Sequence, residues 1–304
     1  MKIIIFINIL YNINKKMELI LKNNRNIVYN VMSCLKFTDR YNLCITNKDY
    51  FENKFKKYKH QELIEIKFKD HLLTKKLINI KFKIDLSETD ITDVSMLGNV
   101  HTLNLSFCQY ITDVSMLGNV HTINLVFCQY ITDVSKLGNV HTLELSFCQN
   151  IKDVSKLGNV NTLDLENCQK IIDVSMLGNV HTLNLSNCQK IIDVSMLGNV
   201  HTLNLSNCQN ITDISMLGNV HTLNLSNCQN ITDVSMLGHT LNLSNCQNIT
   251  EVSMLGHTLD LSECQNITDV SMLENFNTLF LFNCQNITEY QIAELEKTVK
   301  NLEY

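Results

Sequence analysis

The sequence predicts an α/β solenoid, in which short coils of chain stack along one axis and share a parallel β-sheet. The first observation is a period of 20 residues, shortened twice to 18, in which variants of HTLNLSNCQNITDVSMLGNV recur. One cysteine marks each unit: Cys108, Cys128, Cys148, Cys168, Cys188, Cys208, Cys228, Cys246, Cys264 and Cys284. The second observation is that apolar residues hold the same positions in every unit, as expected when each repeat contacts only its neighbours.

One unit, beginning at Val100, shows how a coil is built. Leu103 and Leu105 alternate with polar residues, which indicates a strand with one buried face. From Cys108 onward the apolar residues fall three apart, a spacing typical of a wide turn and a 3₁₀-like segment. The pattern L-x-x-L-x-L-x-x-C-x-x-I-x-x-V-x-x-L resembles a leucine-rich repeat over residues 84–288. That resemblance implies short 20-residue coils, a parallel concave β-sheet and a 3₁₀ or irregular convex side.

The motif I-T-D-V-S-x-L in the repeats also resembles internalin-type repeats. The carboxylates at Asp113 and its equivalents are predicted to accept backbone N–H bonds where the convex leg begins. An alternative is a row of metal ligands, but evenly spaced carboxylates do not converge on one ion.

The C-terminus is predicted to form a capping helix over residues 289–304. Thr288 and Gln291 form a T-x-x-Q capping box, which is typical of a helix start. The apolar face of that helix would consist of Ile292, Leu295, Val299 and Leu302. Phe280 and Phe282 are expected to lie beneath it.

Residues 1–83 differ from the array in charge. They carry 18 Lys+Arg against 7 Asp+Glu, or +11, whereas residues 84–304 carry 7 against 23, or −16; the two sum to the net −5. The basic residues form no aromatic-flanked motif, so no nucleic-acid partner is expected. Residues 1–25 are a poorly defined N-terminal segment. Residues 61–83 are predicted to be a linker and an N-terminal cap strand.

Residues 26–60 are predicted to form a small helical module. Apolar residues recur at helical spacing from Ile27 to Leu35, and Asp39 opens a second helix. One interpretation is a helical cap on the first coil. The stretch V-M-S-C-L-x-F-x-D-x-x-N-L-C-I-T-N-K-x-Y-F also resembles an F-box, although the usual opening Leu-Pro is missing. The whole chain resembles the F-box and leucine-rich-repeat proteins of giant DNA viruses of amoebae.

The F-box resemblance implies docking on the Skp adaptor of a cullin-RING ubiquitin ligase while the repeats hold a protein substrate. By the same resemblance, adaptor contact and module core would be divided among Ile27, Val31, Met32, Leu35, Leu43 and Ile45. The chain is therefore expected to be a non-enzymatic substrate-recognition subunit. The alternatives are an interaction scaffold with no ligase link and a secreted internalin-like adhesin.

The protein is predicted to reside in a reducing compartment. This is the cytoplasm, and if the protein acts in a host cell it is the cytoplasm or nucleus of that host. Stacked cysteines of equal depth do not suggest disulfide pairs. Ten N-x-S/T sequons lie in the repeats, and glycans there would crowd the strand face. Lys2 and the apolar run from Ile3 to Leu10 resemble a signal peptide, but no small-residue cleavage site follows. The run is also shorter than the roughly 20 residues that span a membrane, so no membrane partner is expected.

The cysteine and histidine ladders have chemical and structural interpretations. Thiolates could bind zinc, and stacked imidazoles could bind a metal or respond to pH. In the structural interpretation, the thiols form hydrogen bonds with the backbone of the turn from inside the core. The histidines would form a hydrogen-bonded turn at the start of each strand, because asparagine replaces histidine at Asn161 and Asn277. No motif places a nucleophile beside a base, so no catalytic, cofactor or metal residue is predicted.

The substrate site is predicted where the uniform repeats are interrupted. An aromatic strip is expected on the first coils, formed by Phe107, Phe127, Phe147, Tyr110 and Tyr130. A carboxylate group is expected on adjacent coils, formed by Glu144, Asp164 and Glu166, with Asp260 and Glu263 a weaker second group. Exposed aromatic residues are candidate protein contacts. The alternative for the strip is packing within the core along the ascending edge.

Overall fold

The computed structural model describes residues 83–235, 237, 239–252 and 256–304. Twelve strands, β1 to β12, form one parallel sheet within this part of the chain, and their order in the sheet is their order in the sequence. The strands are β1 Lys83–Asp85, β2 Thr102–Asn104, β3 Thr122–Asn124, β4 Thr142–Glu144, β5 Thr162–Asp164, β6 Thr182–Asn184, β7 Thr202–Asn204, β8 Thr222–Asn224, β9 His239–Asn242, β10 Gly256–Asp260, β11 Thr278–Phe280 and β12 Asn301–Glu303. The predicted solenoid with its parallel sheet is confirmed.

Equivalent residues of neighbouring coils pair directly across the sheet. Thr102 pairs with Thr122 and Leu103 with Ile123, and the same register recurs along the array. In β2 to β8 and in β11 the central residue is buried and its two neighbours are half-buried, as the alternation predicts. Because the period of the sequence equals one coil, side chains of one type form ladders along the solenoid.

The return leg of several coils is a short 3₁₀ helix, also as predicted. These helices are Ser95–Leu97, Ser115–Leu117, Ser175–Leu177, Ser195–Leu197, Ser215–Leu217 and Ser271–Leu273. At the start of the leg the Asp113 carboxylate accepts the Ser115 N–H at 2.9 Å. The same bond recurs in other coils, for instance from Ser155 to Asp153. These bonds confirm the prediction that the carboxylates accept backbone N–H groups where the leg begins, and they lower the pKa of both carboxyl groups.

The core lies between the strands and the return leg. In one coil Leu103, Leu105, Cys108, Ile111 and Val114 are all almost completely buried, and the equivalent residues of the other coils behave alike. Each coil is too thin to bury these side chains alone, so their burial depends on the neighbouring coils.

The two shortened coils keep the sheet continuous. They lack the Asn-Val pair that precedes the other strands, and β9 and β10 are correspondingly longer. The pairing of these strands shifts register between Gly256 and Thr258, and His239 adopts a positive φ of 63°. Phe276 is buried at the position where earlier coils carry valine. The missing residues are thus absorbed by a local irregularity of the strands.

The C-terminal cap differs from the prediction. The capping box is present, because Gln291 N–H donates to the Thr288 hydroxyl and Thr288 N–H donates to the Gln291 side chain. The helix it begins, α1, spans only Glu289–Leu295. A helix over residues 289–304 was therefore wrong, since Leu302 lies in β12 and pairs with Leu279. Pairing satisfies the backbone of the exposed β11 edge, which a longer helix would leave open.

The two phenylalanines of the last coil also lie elsewhere than predicted. Phe280 is half-buried in β11 and its Cα partner is Glu303 of β12. Phe282 is exposed, so it is not covered by α1. Both corrections follow from the shortness of the helix. Among the described residues, no helix is long and apolar enough to cross a membrane.

Candidate protein-binding surface

The cysteine ladder is structural. Each thiol donates to a leucine carbonyl of the preceding coil, as Cys128 does to Leu105 at 3.1 Å and Cys188 to Leu165 at 3.2 Å. Burial raises the pKa of the Cys188 thiol to about 12, which keeps it protonated. In the first coil Thr89 holds the equivalent position and is buried. Its hydroxyl donates at 2.7 Å to the carbonyl of Leu86 in its own coil, which also accepts the Cys108 thiol. Thr89 was not predicted from the sequence because the first coil is one residue shorter.

The histidine ladder forms the entry to eight of the twelve strands, β2 to β4 and β6 to β10. The rings of His121 and His141 stack with their centres 4.6 Å apart. Nδ1 of His141 lies 3.3 Å from the hydroxyl of Thr142, in agreement with the predicted hydrogen-bonded entry turn. In the described part of the chain, no three His, Cys, Asp or Glu side chains group in a way that could hold a metal ion.

The three phenylalanines of the aromatic strip form a continuous stack. Ring centres of Phe107 and Phe127 lie 4.7 Å apart, and those of Phe127 and Phe147 lie 4.3 Å apart, with interplanar angles of 18° and 7°. Phe107 is 45% exposed, and the other two are half-buried. The alternative of packing within the core is therefore wrong. The stack lies on the surface, beside the ends of strands β2 to β4.

The backbone at these phenylalanines is strained. The residue at this position has a positive φ in every coil, and the values at Phe107, Phe127 and Phe147 are 61°, 61° and 63°. Most other coils place asparagine here, a residue that tolerates this left-handed conformation much better than phenylalanine. Those asparagines are Asn167, Asn187, Asn207, Asn227, Asn245 and Asn283. Strained positions cluster at functional sites, so the stack is a candidate for one.

Tyr110 and Tyr130 interrupt a second asparagine ladder. They are 56% and 58% exposed. Six later coils carry an asparagine here whose amide donates to the carbonyl of a glutamine in the preceding coil, as Asn150 does to Gln129 at 2.7 Å, and two carry Lys170 and Lys190. The others that do so are Asn210, Asn230, Asn248, Asn266 and Asn286. Two structural ladders are thus replaced by aromatic residues at the same end of the solenoid.

The predicted carboxylate group comes together on β4 and β5. Glu144 pairs with Asp164 across these strands, and the Asp164 carboxylate accepts the Glu166 N–H at 2.9 Å. Burial, followed by the neighbouring Asp164, raises the pKa of Glu144. The Phe147 N–H donates to the Glu166 carbonyl at 2.8 Å. The carboxylate group therefore adjoins one end of the phenylalanine stack.

The other end of the stack adjoins a carboxylate that the sequence analysis missed. Glu88 is exposed, has a φ of 59° and holds the position equivalent to Phe107 in the first coil. Its N–H donates to the Ser106 carbonyl at 2.9 Å. The equivalence of Glu88 with Phe107 can be recognised only after Thr89 of the first coil is aligned with the cysteines of the other coils.

A separate apolar patch on the convex side was also missed. Ile172 and Ile192 replace the threonine of the consensus and are exposed. With Met196 and Met216 they line two shallow cavities of about 250 and 320 Å³. This patch begins one coil after Phe147, on the return leg of the coils rather than beside the strands.

The stacked coils and their parallel sheet form a leucine-rich-repeat solenoid. Domains of this class are generally non-catalytic modules that bind protein partners along an extended surface. A family model described as "Leucine Rich repeat" matches residues 99–117. Comparison with curated proteins finds no match.

The chain is similar to several solved structures. An internalin (InlF) from Listeria monocytogenes is 19% identical, with 76% of this chain and 88% of that chain covered and a TM-score of 0.47. An internalin C2 from the same organism is 25% identical, with 67% and 77% covered and a TM-score of 0.38. The functional domain of InlJ from that organism, described as including a cysteine ladder, is 16% identical, with 65% and 49% covered and a TM-score of 0.35.

The adaptor-binding prediction lies outside the described residues. It concerns the predicted module at residues 26–60. The predicted segment 1–25 also lies outside the described residues, and the cap segment 61–83 is described only at Lys83. The predicted adaptor contacts that fall there are Ile27, Val31, Met32, Leu35, Leu43 and Ile45.

Proposed function

We propose that this protein is a non-enzymatic substrate-recognition subunit of a cullin-RING ubiquitin ligase that works in the cytoplasm. In this proposal the aromatic strip holds a protein substrate and the F-box-like module at residues 26–60 docks on the Skp adaptor. The observation that carries the substrate half is the exposed phenylalanine stack, kept in strained backbone at three successive coils.

The aromatic residues of the strip replace asparagines that suit the fold. Asn245 donates to Asn227 at 2.6 Å in the ladder that phenylalanine interrupts, so asparagine suits both the backbone and its neighbours. Phe107 and Tyr110 instead place large apolar surface in water at their coil. Buried aromatic side chains dominate many protein interfaces, which gives these residues a use in a complex that they lack in the free chain.

The proposed adaptor binding is supported by the F-box-like sequence motif in residues 26–60. The test is co-purification of the tagged full-length chain from cells, followed by identification of bound Skp adaptor and cullin. Leu35→Asp is expected to abolish their recovery while the repeats keep their cooperative unfolding transition. Absence of both proteins from the wild-type preparation would refute the ligase role.

A scaffold without a ligase link is the second candidate, and the same surface favours it. The two candidates separate in one experiment, because a scaffold retains its partner through the aromatic strip but recovers no adaptor. Mass spectrometry of the mature protein tests the compartment: glycans on the N-x-S/T sequons or cleavage near residue 16 would favour a secreted adhesin instead.

A further inference from the structure

We infer that the aromatic strip binds an extended, arginine-bearing segment of the partner protein, which lies along the solenoid axis with two cationic side chains about six residues apart. This inference rests on the proposed function and names the chemistry of the partner. It is carried by the phenylalanine stack together with the carboxylates that lie at its two ends.

The first end of the stack is a cation site formed by Phe107 and Glu88. In a face-to-face stack only the terminal rings leave a face uncovered, and Phe107 is the most exposed of the three. Glu88 is exposed and occupies the same ladder position in the adjoining coil, so its carboxylate is within reach of a cation on that face. The face of an aromatic ring carries partial negative charge and attracts a guanidinium, and the Glu88 carboxylate supplies the counter-charge. A planar guanidinium satisfies both at once.

The second end is a cation site at the carboxylate group. Glu166 follows Phe147 in the direction of the array and is bonded to it through the backbone. Glu144 and Asp164 lie in register on the concave face beside it. Two carboxylates at adjacent coils repel each other, and a cation from the partner relieves that repulsion. The net charge of −16 on residues 84–304 adds a long-range attraction for a basic segment.

The distance between the two ends sets the spacing of the cations. Glu88 and Glu166 are four coils apart, which is about 19 Å at the roughly 4.8 Å separation of parallel strands. An extended chain rises about 3.3 Å per residue, so two side chains that reach both ends lie about six residues apart. Apolar side chains between them would contact the exposed edges of the phenylalanine rings.

The test is the binding of fluorescein-labelled heptapeptides to the full-length protein, measured by fluorescence anisotropy at near-physiological salt. One peptide has arginine at its first and last positions with alternating leucine and serine between them. A second has the same composition with the arginines three residues apart. We expect the first peptide to bind about fivefold more tightly or better. Equal affinities, or no saturable binding, would overturn the inference.

Variants that restore the consensus show where the peptide binds. Glu88→Asn and Glu166→Ser are each expected to weaken the first peptide at least about threefold. The matched control is the double variant Asp260→Asn with Glu263→Asn, which removes two carboxylates far from the aromatic strip, beside Phe280 and Phe282 of the next coil, and should leave affinity unchanged. These replacements are the residues that other coils carry at the same positions, so the variants retain the fold. Equal losses in the control would show general charge attraction and overturn the inference.

Failure of this inference is distinguishable from failure of the proposed function. If Phe107→Asn, Phe127→Asn and Phe147→Asn together remove the cellular partner while the peptides show no spacing preference, the strip is a binding surface and the arginine spacing is wrong. If the triple variant keeps its partner, the substrate half of the proposed function falls as well.

Discussion

Gly178→Ala is expected to destabilise the solenoid although its backbone conformation suits alanine. Gly178 has φ −61° and ψ −14°, an ordinary right-handed conformation. A Cβ there would lie closer than 3.0 Å to the backbone carbonyl oxygen of Met196 in the next coil. Gly98, Gly118, Gly138, Gly158 and Gly198 meet the equivalent carbonyl in their own neighbours. Glycine is therefore needed for close approach of two coils.

Two opposing contributions set the size of the effect. Replacing glycine with alanine in a compatible conformation stabilises by about 0.4–1 kcal/mol through the unfolded state. Overpacking costs about 1–3 kcal/mol, and the upper end applies here because the obstacle is backbone held by the sheet pairing rather than a flexible side chain. The difference is a net loss of about 2 kcal/mol in the free energy of unfolding.

The assay is urea denaturation of the full-length chain followed by circular dichroism. The matched control is Glu274→Ala, because Glu274 holds the equivalent position in the last such coil with φ −59° and ψ −21°. It is expected to change stability by less than about 0.5 kcal/mol, as for most surface substitutions. If Gly178→Ala were as stable as the wild type, the close approach of the coils would not be what requires glycine.

Two further predictions concern the ladders. Cys188→Ala is expected to cost about 2 kcal/mol, since it opens a cavity and removes the thiol bonded to Leu165, and an unchanged urea midpoint would contradict this. Desolvation, followed by His181 and His221, lowers the pKa of His201 below its ordinary 6.5, so the folded state favours the neutral ring. The stability this provides is present above pH 6.5 and is lost as pH falls below it. His201→Asn is therefore expected to reduce the loss of the urea midpoint between neutral and mildly acidic pH, whereas an identical loss in both proteins would contradict the assignment.

The regular part of the fold was predictable because its sequence period equals its structural period. The alternation at Leu103 and Leu105 predicts the strand, and the three-residue spacing after Cys108 predicts the turn and return leg. The role of the thiols followed from the same period, because equivalent residues must lie at the same depth in every coil.

The ends of the array were harder to predict because local patterns there compete with tertiary pairing. Ile292, Leu295, Val299 and Leu302 have helical spacing, but pairing with β11 takes Leu302 into a strand. A one-residue shortening in the first coil obscured the equivalence of Thr89 with the cysteines.

The candidate site was predicted in part. The aromatic and carboxylate positions were visible as departures from the consensus, and their arrangement followed from the register. The strain at Phe127 was not visible, because a sequence does not show that its position requires a positive φ. The role of Glu88 also required three-dimensional alignment, since its unit has a different length.

Site-specific photo-crosslinking in cells tests the central claim, that the aromatic strip is the partner-binding surface, most directly. A benzophenone amino acid is placed at Tyr130 in the strip or at Tyr290 on α1, two tyrosines that are 58% and 73% exposed. We expect a discrete covalent adduct with one partner protein from position 130 and none from position 290. Adducts from position 290 alone, or the same adducts from both positions, would contradict it.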